Sequence, residues 1–173
     1  MIAGKPFRQL LKDSIFEPAG MSSTRDDDSF AIIPNRVRGY RKTDAGEVLN
    51  CELADTSSKV PGGGLISTAA DVARFGRAVM DGALLRPETR TLMWTSQHTN
   101  DGKSVGYGLG WGVGTFRGQL RYSHAGGQSG TSTYLDVLPE NRIVVSVLCN
   151  LQGARAREIS EQILQLLDEA KVK

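Results

Sequence analysis

Apolar residues recur at helical spacing in four stretches of the chain, which places them on one face of each predicted helix. We predict helices over residues 6–16, 69–81, 87–94 and 154–170. Thr68 and Asp71 are placed to form a capping box at the start of the second helix, and Gly82 is placed to end it. In the last helix we expect the apolar stripe to face a sheet, and this stripe comprises Ile159, Ile163, Leu166 and Leu167.

The period changes to two after Val105, which is typical of β-strands. Bulky residues alternate with glycines over 107–114, so we predict a strand with one bulky and one bare face. Further strands are predicted over residues 38–41, 47–49, 119–123, 131–138 and 143–148. The last is nearly all apolar, as in a central strand covered on both faces, and the short link before it favours an antiparallel pair. Helices flanking an antiparallel sheet make the fold class α+β.

Length and charge limit the possible classes of protein. The chain has 173 residues and a net charge of +2. This length is enough for one domain with a real core, and we predict a single domain over 1–173. The weak charge argues against nucleic acid as a partner, and no stretch is long and apolar enough to be a membrane segment. Cys51 and Cys149 lack metal-ligand spacing, so we expect no metal and no cofactor.

The chemistry is concentrated in the segment that starts at His124 and continues through Ala125, Gly126 and Gly127. A titratable nitrogen stands there beside backbone with almost no side chains. This pairing suits acyl transfer, in which a proton must move and an oxyanion must be held by N–H donors. The alternative is a β-hairpin whose histidine has no chemical role. A second glycine cluster, Gly62–Gly64, lacks the Lys-Ser/Thr ending of a phosphate loop, so we interpret it as a connecting turn.

Several segments together resemble the serine β-lactamase and penicillin-binding-protein superfamily, in its class C-like and esterase-like branch. Within this superfamily the chain looks most similar to the mitochondrial serine β-lactamase-like branch and its bacterial relatives. Each segment alone is only a weak indication of this superfamily, but the order and spacing of the segments together are specific for it. The segments are Phe16–Thr24, Gly62–Asp71, Met93–Thr95, Tyr107–Trp111, His124–Gly127 and Val145–Asn150. The resemblance implies a partial β-lactamase/DD-peptidase-like (transpeptidase) fold and cleavage of an amide, peptide or ester bond in a small-molecule or peptide substrate.

The resemblance also implies roles for individual residues. His124, Ala125 and Gly126 match the third active-site motif of the family. His124 takes its cationic position, and the N–H of Gly127 resembles an oxyanion donor. We therefore predict His124 and Gly127 as catalytic, and Tyr107, Ala125 and Gly126 as substrate-binding. Ala125 departs from the family pattern, in which a hydroxyl residue is common, so a hydrogen bond from that hydroxyl is not expected here.

The other two motifs of the family do not occur in this sequence. No serine has a lysine three residues later, and no tyrosine has an asparagine two residues later. We therefore expect the chain to be the C-terminal part of a longer hydrolase and to be inactive alone. The resembled fold has two N-terminal strands beside residues 143–149, so we also expect an open sheet edge and self-association through it. The compartment is not predicted, because the resemblance allows a periplasmic, secreted or mitochondrial protein.

Three functional hypotheses follow from these observations. The chain is the C-terminal part of a serine hydrolase, or a non-catalytic remnant that binds a partner, or a structural subunit that assembles through its sheet edge. A Ser-x-x-Lys motif upstream in the parent gene would favour the first hypothesis, and its absence would favour the other two.

Overall fold

The computed structural model describes residues 4–52 and 55–171, and in that part of the chain it contains four α-helices and eight β-strands. The helices are α1 (Phe7–Leu11), α2 (Ala69–Asp81), α3 (Pro87–Met93) and α4 (Ala156–Lys171). The strands are β1 (Arg25–Asp26), β2 (Tyr40–Lys42), β3 (Val48–Asn50), β4 (Leu65–Ile66), β5 (Gly112–Phe116), β6 (Gln119–Gln128), β7 (Thr131–Leu138) and β8 (Ile143–Cys149). The last four strands form one sheet in chain order, and the other four form two small antiparallel pairs, β1–β4 and β2–β3. The predicted α+β class with an antiparallel sheet is confirmed.

All four predicted helices are present. The first continues beyond α1 as one π-helical turn over Lys12–Phe16. At the end of α2 the N–H of Ala83 donates to the carbonyl of Ala78 at 2.9 Å, and the N–H of Gly82 donates to the carbonyl of Val79 at 3.3 Å. This is the paired hydrogen-bond pattern of a Schellman motif, so Gly82 ends the helix as predicted. The capping box at the other end of α2 stays a prediction.

The sheet agrees with the sequence in its strands and differs in the position of β8. In the described part of the chain β8 lies at one end of the sheet, not at its centre. Val145 and Val147 are buried and the other residues of the strand are half-buried, so both faces are covered as expected. An apolar sequence indicates that the faces of a strand are covered, and it carries no information about whether both edges are paired.

The predicted strand over 107–114 is wrong in its first half. Strand β5 begins only at Gly112, and Tyr107 and Leu109 are exposed whereas Trp111 is buried, so the three side chains do not share one face of a strand. Gly106 and Gly110 have φ angles of +66° and +81°. Positive φ is incompatible with an extended strand, and glycine adopts it without a steric penalty. The chain therefore turns between Gly108 and Trp111, where the N–H of Gly108 donates to the carbonyl of Trp111 at 2.7 Å.

The predicted buried stripe of α4 is also wrong. Ile159, Leu166 and Leu167 are exposed, and Ile163 is half-buried. The residues that the fold buries on this helix are Ala156, Ser160 and Leu164, spaced four apart. Amphipathic spacing identifies a helix, but the elements that pack against the helix decide its rotation about its own axis.

The described residues group into two compact units, and the prediction of a single domain over 1–173 stays a prediction. One unit contains the described residues up to Ser22 together with Ala70–His124 and Leu135–Ser146. Its core consists of Val79, Met80, Trp111, Tyr122, Leu135 and Val137. The other unit contains Ser23–Ala69, Ala125–Tyr134 and the chain from Val147 onward. Its most buried side chains include Cys51, Val60, Ser160 and Leu164.

Candidate functional site

Strand β6 carries the histidine and the glycines that were predicted as site residues. It was predicted to end before His124, but it continues to Gln128. His124, Ala125, Gly126 and Gly127 are all exposed on it. The segment is therefore regular extended backbone with an open surface, which a substrate can approach closely.

The ring of His124 is held through one nitrogen. Its Nδ1 lies 2.6 Å from the carbonyl oxygen of Gly110 and 3.1 Å from the hydroxyl of Tyr107. A carbonyl oxygen only accepts hydrogen bonds, so Nδ1 carries the proton in the shorter contact. In the neutral ring Nε2 then holds a lone pair. Because His124 is exposed, this nitrogen can accept a proton from a group outside the chain.

Tyr107 lies beside His124, with 6.3 Å between the ring centroids. When Nδ1 donates to Gly110, the Tyr107 oxygen can share that proton only as an acceptor, and its own O–H stays available to donate to another group. Both residues were predicted as site residues, but no contact between them was predicted. The turn at Gly108–Trp111 brings them together, since it replaces the predicted extended strand.

An aromatic cluster lies close in sequence to His124 and to the Gly110 carbonyl that holds it. Trp94 stacks on Tyr122 with ring centroids 4.1 Å apart, and it meets Trp111 edge to face at 6.1 Å. Tyr122 precedes His124 by two residues on β6, and Trp111 follows Gly110 directly. Burial, with a smaller contribution from the nearby Glu140 carboxylate, raises the pKa of Tyr122 above its usual value, so its phenol stays neutral. The histidine and the carbonyl that holds it are thus each attached to packed aromatic residues.

The three residues after His124 belong to the second unit. A Cβ built on Gly126 would lie 2.4 Å from the Thr133 hydroxyl, so this position accepts no side chain without rearrangement. A Cβ on Gly127 would meet no atom within 4 Å, so the space over Gly127 is open. Ala125 is exposed as well. The predicted roles of these residues, and of His124 and Tyr107, stay predictions.

The contacts of Gln128 were not predicted from the sequence. Its side-chain Nε2 donates to the carbonyls of Gly62 and Gly63 at 3.1 and 3.3 Å, and its Oε1 accepts from Lys59 Nζ at 2.8 Å. The second glycine cluster is therefore tied to the end of β6, and it is more than a connecting turn. The cluster itself was visible in the sequence, but no local pattern links it to a residue 65 positions away.

The part of the chain that the structure describes contains neither a candidate metal site nor a candidate membrane-spanning helix. Within residues 4–52 and 55–171, no three or more His, Cys, Asp or Glu side chains are grouped so that they could hold a metal ion. None of the helices in those ranges combines the length and the apolar character that crossing a membrane requires.

Comparison with known proteins defines the family. The family model for β-lactamase matches residues 2–168. The chain is similar to the human mitochondrial serine β-lactamase-like protein LACTB, with 32% identity over 178 aligned residues that cover 80% of this chain and 32% of that protein. The chain therefore belongs to the β-lactamase family of serine hydrolases, and it spans about a third of the length of this relative.

Solved structures agree on the fold. An octameric penicillin-binding-protein homologue from Pyrococcus abyssi matches with a TM-score of 0.78 and 24% identity, over 96% of this chain and 38% of that one. A D-amino acid amidase from Ochrobactrum anthropi, complexed with L-phenylalanine amide, matches with a TM-score of 0.80 and 20% identity, over 98% of this chain and 53% of that one. At these identities the likeness concerns the fold alone. It confirms the predicted partial penicillin-binding-protein-like fold.

Proposed function

We propose that this chain is the C-terminal part of a serine hydrolase that cleaves amide, peptide or ester bonds through an acyl-enzyme. The single observation that carries the proposal is the contact between His124 Nδ1 and the Gly110 carbonyl. With Nδ1 as the donor in that contact, Nε2 of the neutral ring keeps its lone pair, and the exposed His124 stands at the start of an exposed glycine segment. A fixed proton acceptor next to bare backbone is the arrangement that acyl transfer requires.

In the proposed mechanism the nucleophilic serine comes from a segment outside this sequence. Its oxygen bonds to the substrate carbonyl carbon, and the carbonyl electron pair moves to oxygen. The Gly127 N–H stabilises this oxyanion by donating to it. A base takes up the serine proton, and His124 Nε2 receives this proton and returns it to the leaving-group atom. The bond between the carbonyl carbon and that atom then breaks, and the oxyanion electron pair re-forms the carbonyl double bond. In the second half of the reaction water replaces the serine as the nucleophile and the serine oxygen becomes the leaving group, so the same steps hydrolyse the acyl-enzyme.

The substrate is proposed only as a class, a small molecule or peptide with a cleavable carbonyl. Penicillin-binding proteins and an amidase share the fold, and their activities are those of the other proteins. Function in such a fold depends on the particular site. Tyr107, Ala125 and Gly126 are the proposed substrate contacts, because they are exposed beside the two proposed catalytic groups in sequence or in space.

The proposal predicts that the chain alone forms no acyl-enzyme. Covalent catalysis needs a nucleophile activated by a base within hydrogen-bond reach, and no serine here has a lysine three residues later. We expect a fluorophosphonate probe to leave the isolated chain unlabelled, and we expect no turnover of a chromogenic ester or a cephalosporin. Joining or co-expressing an upstream segment that carries Ser-x-x-Lys should restore labelling. Labelling of any serine in the isolated chain would contradict the proposal.

A second candidate function is a non-catalytic, partner-binding remnant of the same fold. The absence of both Ser-x-x-Lys and Tyr-x-Asn from the 173 residues fits this candidate as well as the first, so the upstream part of the parent gene decides between them. The two candidates differ in one measurable result. A remnant stays unlabelled and inactive when the upstream segment of its own parent gene is supplied, whereas the hydrolase becomes active.

We also propose that the chain associates with itself through the edge of β8. This strand lies at the end of the four-stranded sheet within the described residues, and an unpaired apolar edge pairs readily with another chain. We expect sedimentation to show oligomers at tens of micromolar. Ile143→Lys should weaken this association because charge disfavours edge pairing. Leu120→Lys is the matched control, since it lies on β6, which has a neighbour on each side. A monomer over the whole concentration range would contradict the proposal.

A further inference from the structure

The side chain of Gln128 is engaged at both ends. Its Nε2 donates to two carbonyl oxygens of the Gly62–Gly64 cluster, and its Oε1 accepts from Lys59 Nζ at 2.8 Å. An amide can present its oxygen and nitrogen either way round. Because a lysine ammonium only donates, Lys59 selects the orientation in which the amide oxygen faces it. The nitrogen is then directed to the carbonyls of Gly62 and Gly63.

The backbone at Gly63 is shaped to admit this amide. A Cβ on Gly63 would lie 1.5 Å from Gln128 Nε2, so any other residue would occupy the place of the amide. The φ angle of Gly63 is +126°, which residues with a side chain rarely adopt. Glycine at this position therefore permits both the turn and the hydrogen bonds from Gln128.

The residues just after Gln128 are held by other parts of the chain. A Cβ on Gly39 would lie 2.8 Å from the Cα of Gly130, so the two backbones pass in direct contact. The N–H of Gly130 also donates to the side-chain oxygen of Gln152 at 3.4 Å. The tip of the β6–β7 hairpin is thus fixed both at Gln128 and at Gly130. Gly127 directly precedes this fixed tip.

We propose that Gln128 is a positioning residue for Gly127. By tying the end of β6 to the Gly62–Gly64 cluster, its amide fixes the peptide whose N–H is to hold the oxyanion. Lys59 supports it by setting the orientation of that amide. The inference rests on the proposed function, in which Gly127 is the oxyanion donor. Oxyanion donors must be preorganised within tenths of an ångström, because their contribution depends on geometry present before the reaction.

The test measures the order of the backbone N–H vectors of Gly127 and Gly63 by ¹⁵N NMR relaxation on the whole ¹⁵N-labelled chain. We expect Gln128→Ala to lower the order parameter of both residues from about 0.85, the value of rigid backbone, to below about 0.6. Gln119→Ala is the matched control, because it is the same substitution at the other end of the same strand. An unchanged order parameter at Gly127 in Gln128→Ala would overturn the proposal.

Two further variants separate positioning from a general loss of folding. In Gln128→Glu at neutral pH a carboxylate faces two carbonyl oxygens, so the order parameter of Gly127 should fall. Below about pH 4.3 the carboxyl is protonated and regains one donor, so the order parameter should partly recover. An order parameter that does not recover on acidification would count against the amide's donor role. Lys59→Met, an exposed change that leaves the amide unoriented, should lower the order parameter of Gly127 less than Gln128→Ala does.

This measurement is independent of catalysis, since NMR relaxation requires no nucleophile. If the order parameters change as expected while the chain joined to its upstream segment stays unlabelled, the proposed function fails and the fixing of Gly127 stands. If that joined protein is labelled while the order parameter of Gly127 is insensitive to Gln128, the positioning role fails and the proposed function stands.

Discussion

We expect His124→Ala to slow acyl transfer by about 10²–10⁴-fold in a protein that joins this chain to a segment carrying Ser-x-x-Lys, since general acid–base groups contribute that much. The reason is geometric. The Gly110 carbonyl holds Nδ1 at 2.6 Å, which orients the exposed ring and leaves Nε2 of the neutral ring as the proton acceptor. Removing the imidazole removes the proton acceptor. The measurement is the single-turnover acylation rate with a chromogenic ester.

His98→Ala is the matched control for this prediction, because the chain contains only two histidines and His98 is exposed in a loop, away from strand β6 in sequence. We expect this variant to acylate at the wild-type rate. The thermal midpoint of both variants is measured in parallel. If His124→Ala kept the wild-type rate and only lowered the midpoint, His124 would have a structural role alone, and the acyl-transfer proposal would lose the residue that carries it.

The second large effect concerns stability. Asp136 is fully buried and accepts two hydrogen bonds from the guanidinium of Arg121, at 2.6 Å from Nε and 3.1 Å from Nη2. Arg121 is itself buried, on the strand that carries His124. We expect Asp136→Ala to lower the free energy of unfolding by about 3–5 kcal/mol, because it leaves a buried guanidinium without its carboxylate. Urea denaturation followed by tryptophan fluorescence measures the change.

An exposed ion pair provides the control. Arg157 and Glu161 pair at 3.0 Å on α4 with the arginine 67% exposed, so Arg157→Ala should change the free energy of unfolding by less than about 1 kcal/mol. Replacing both buried partners with apolar residues, as Arg121→Met with Asp136→Leu, should recover most of the loss. A loss below about 1 kcal/mol in Asp136→Ala would show that the buried pair is not what stabilises this part of the sheet.

Local sequence determined the elements and the family motif. Strands β7 and β8 and helices α2 and α3 follow from periodicity and from turn residues, because these signals act over one or two turns of chain. Gly82 ended α2 where the pattern placed it. The segment from His124 to Gly127 was also recognisable, since its chemistry lies in consecutive residues.

Tertiary structure decided how those parts meet. The alternation over 107–114 predicted a strand, but positive φ at Gly106 and Gly110 produced a turn, and only that turn brings a carbonyl to His124. Helix α4 buries a face other than its most apolar stripe, because the elements that pack against the helix decide which face is buried. The contacts of Gln128 join residues far apart in the chain. Such contacts leave no local pattern because the free energy that forms them arises from long-range packing and hydrogen bonding, which no short window of sequence contains.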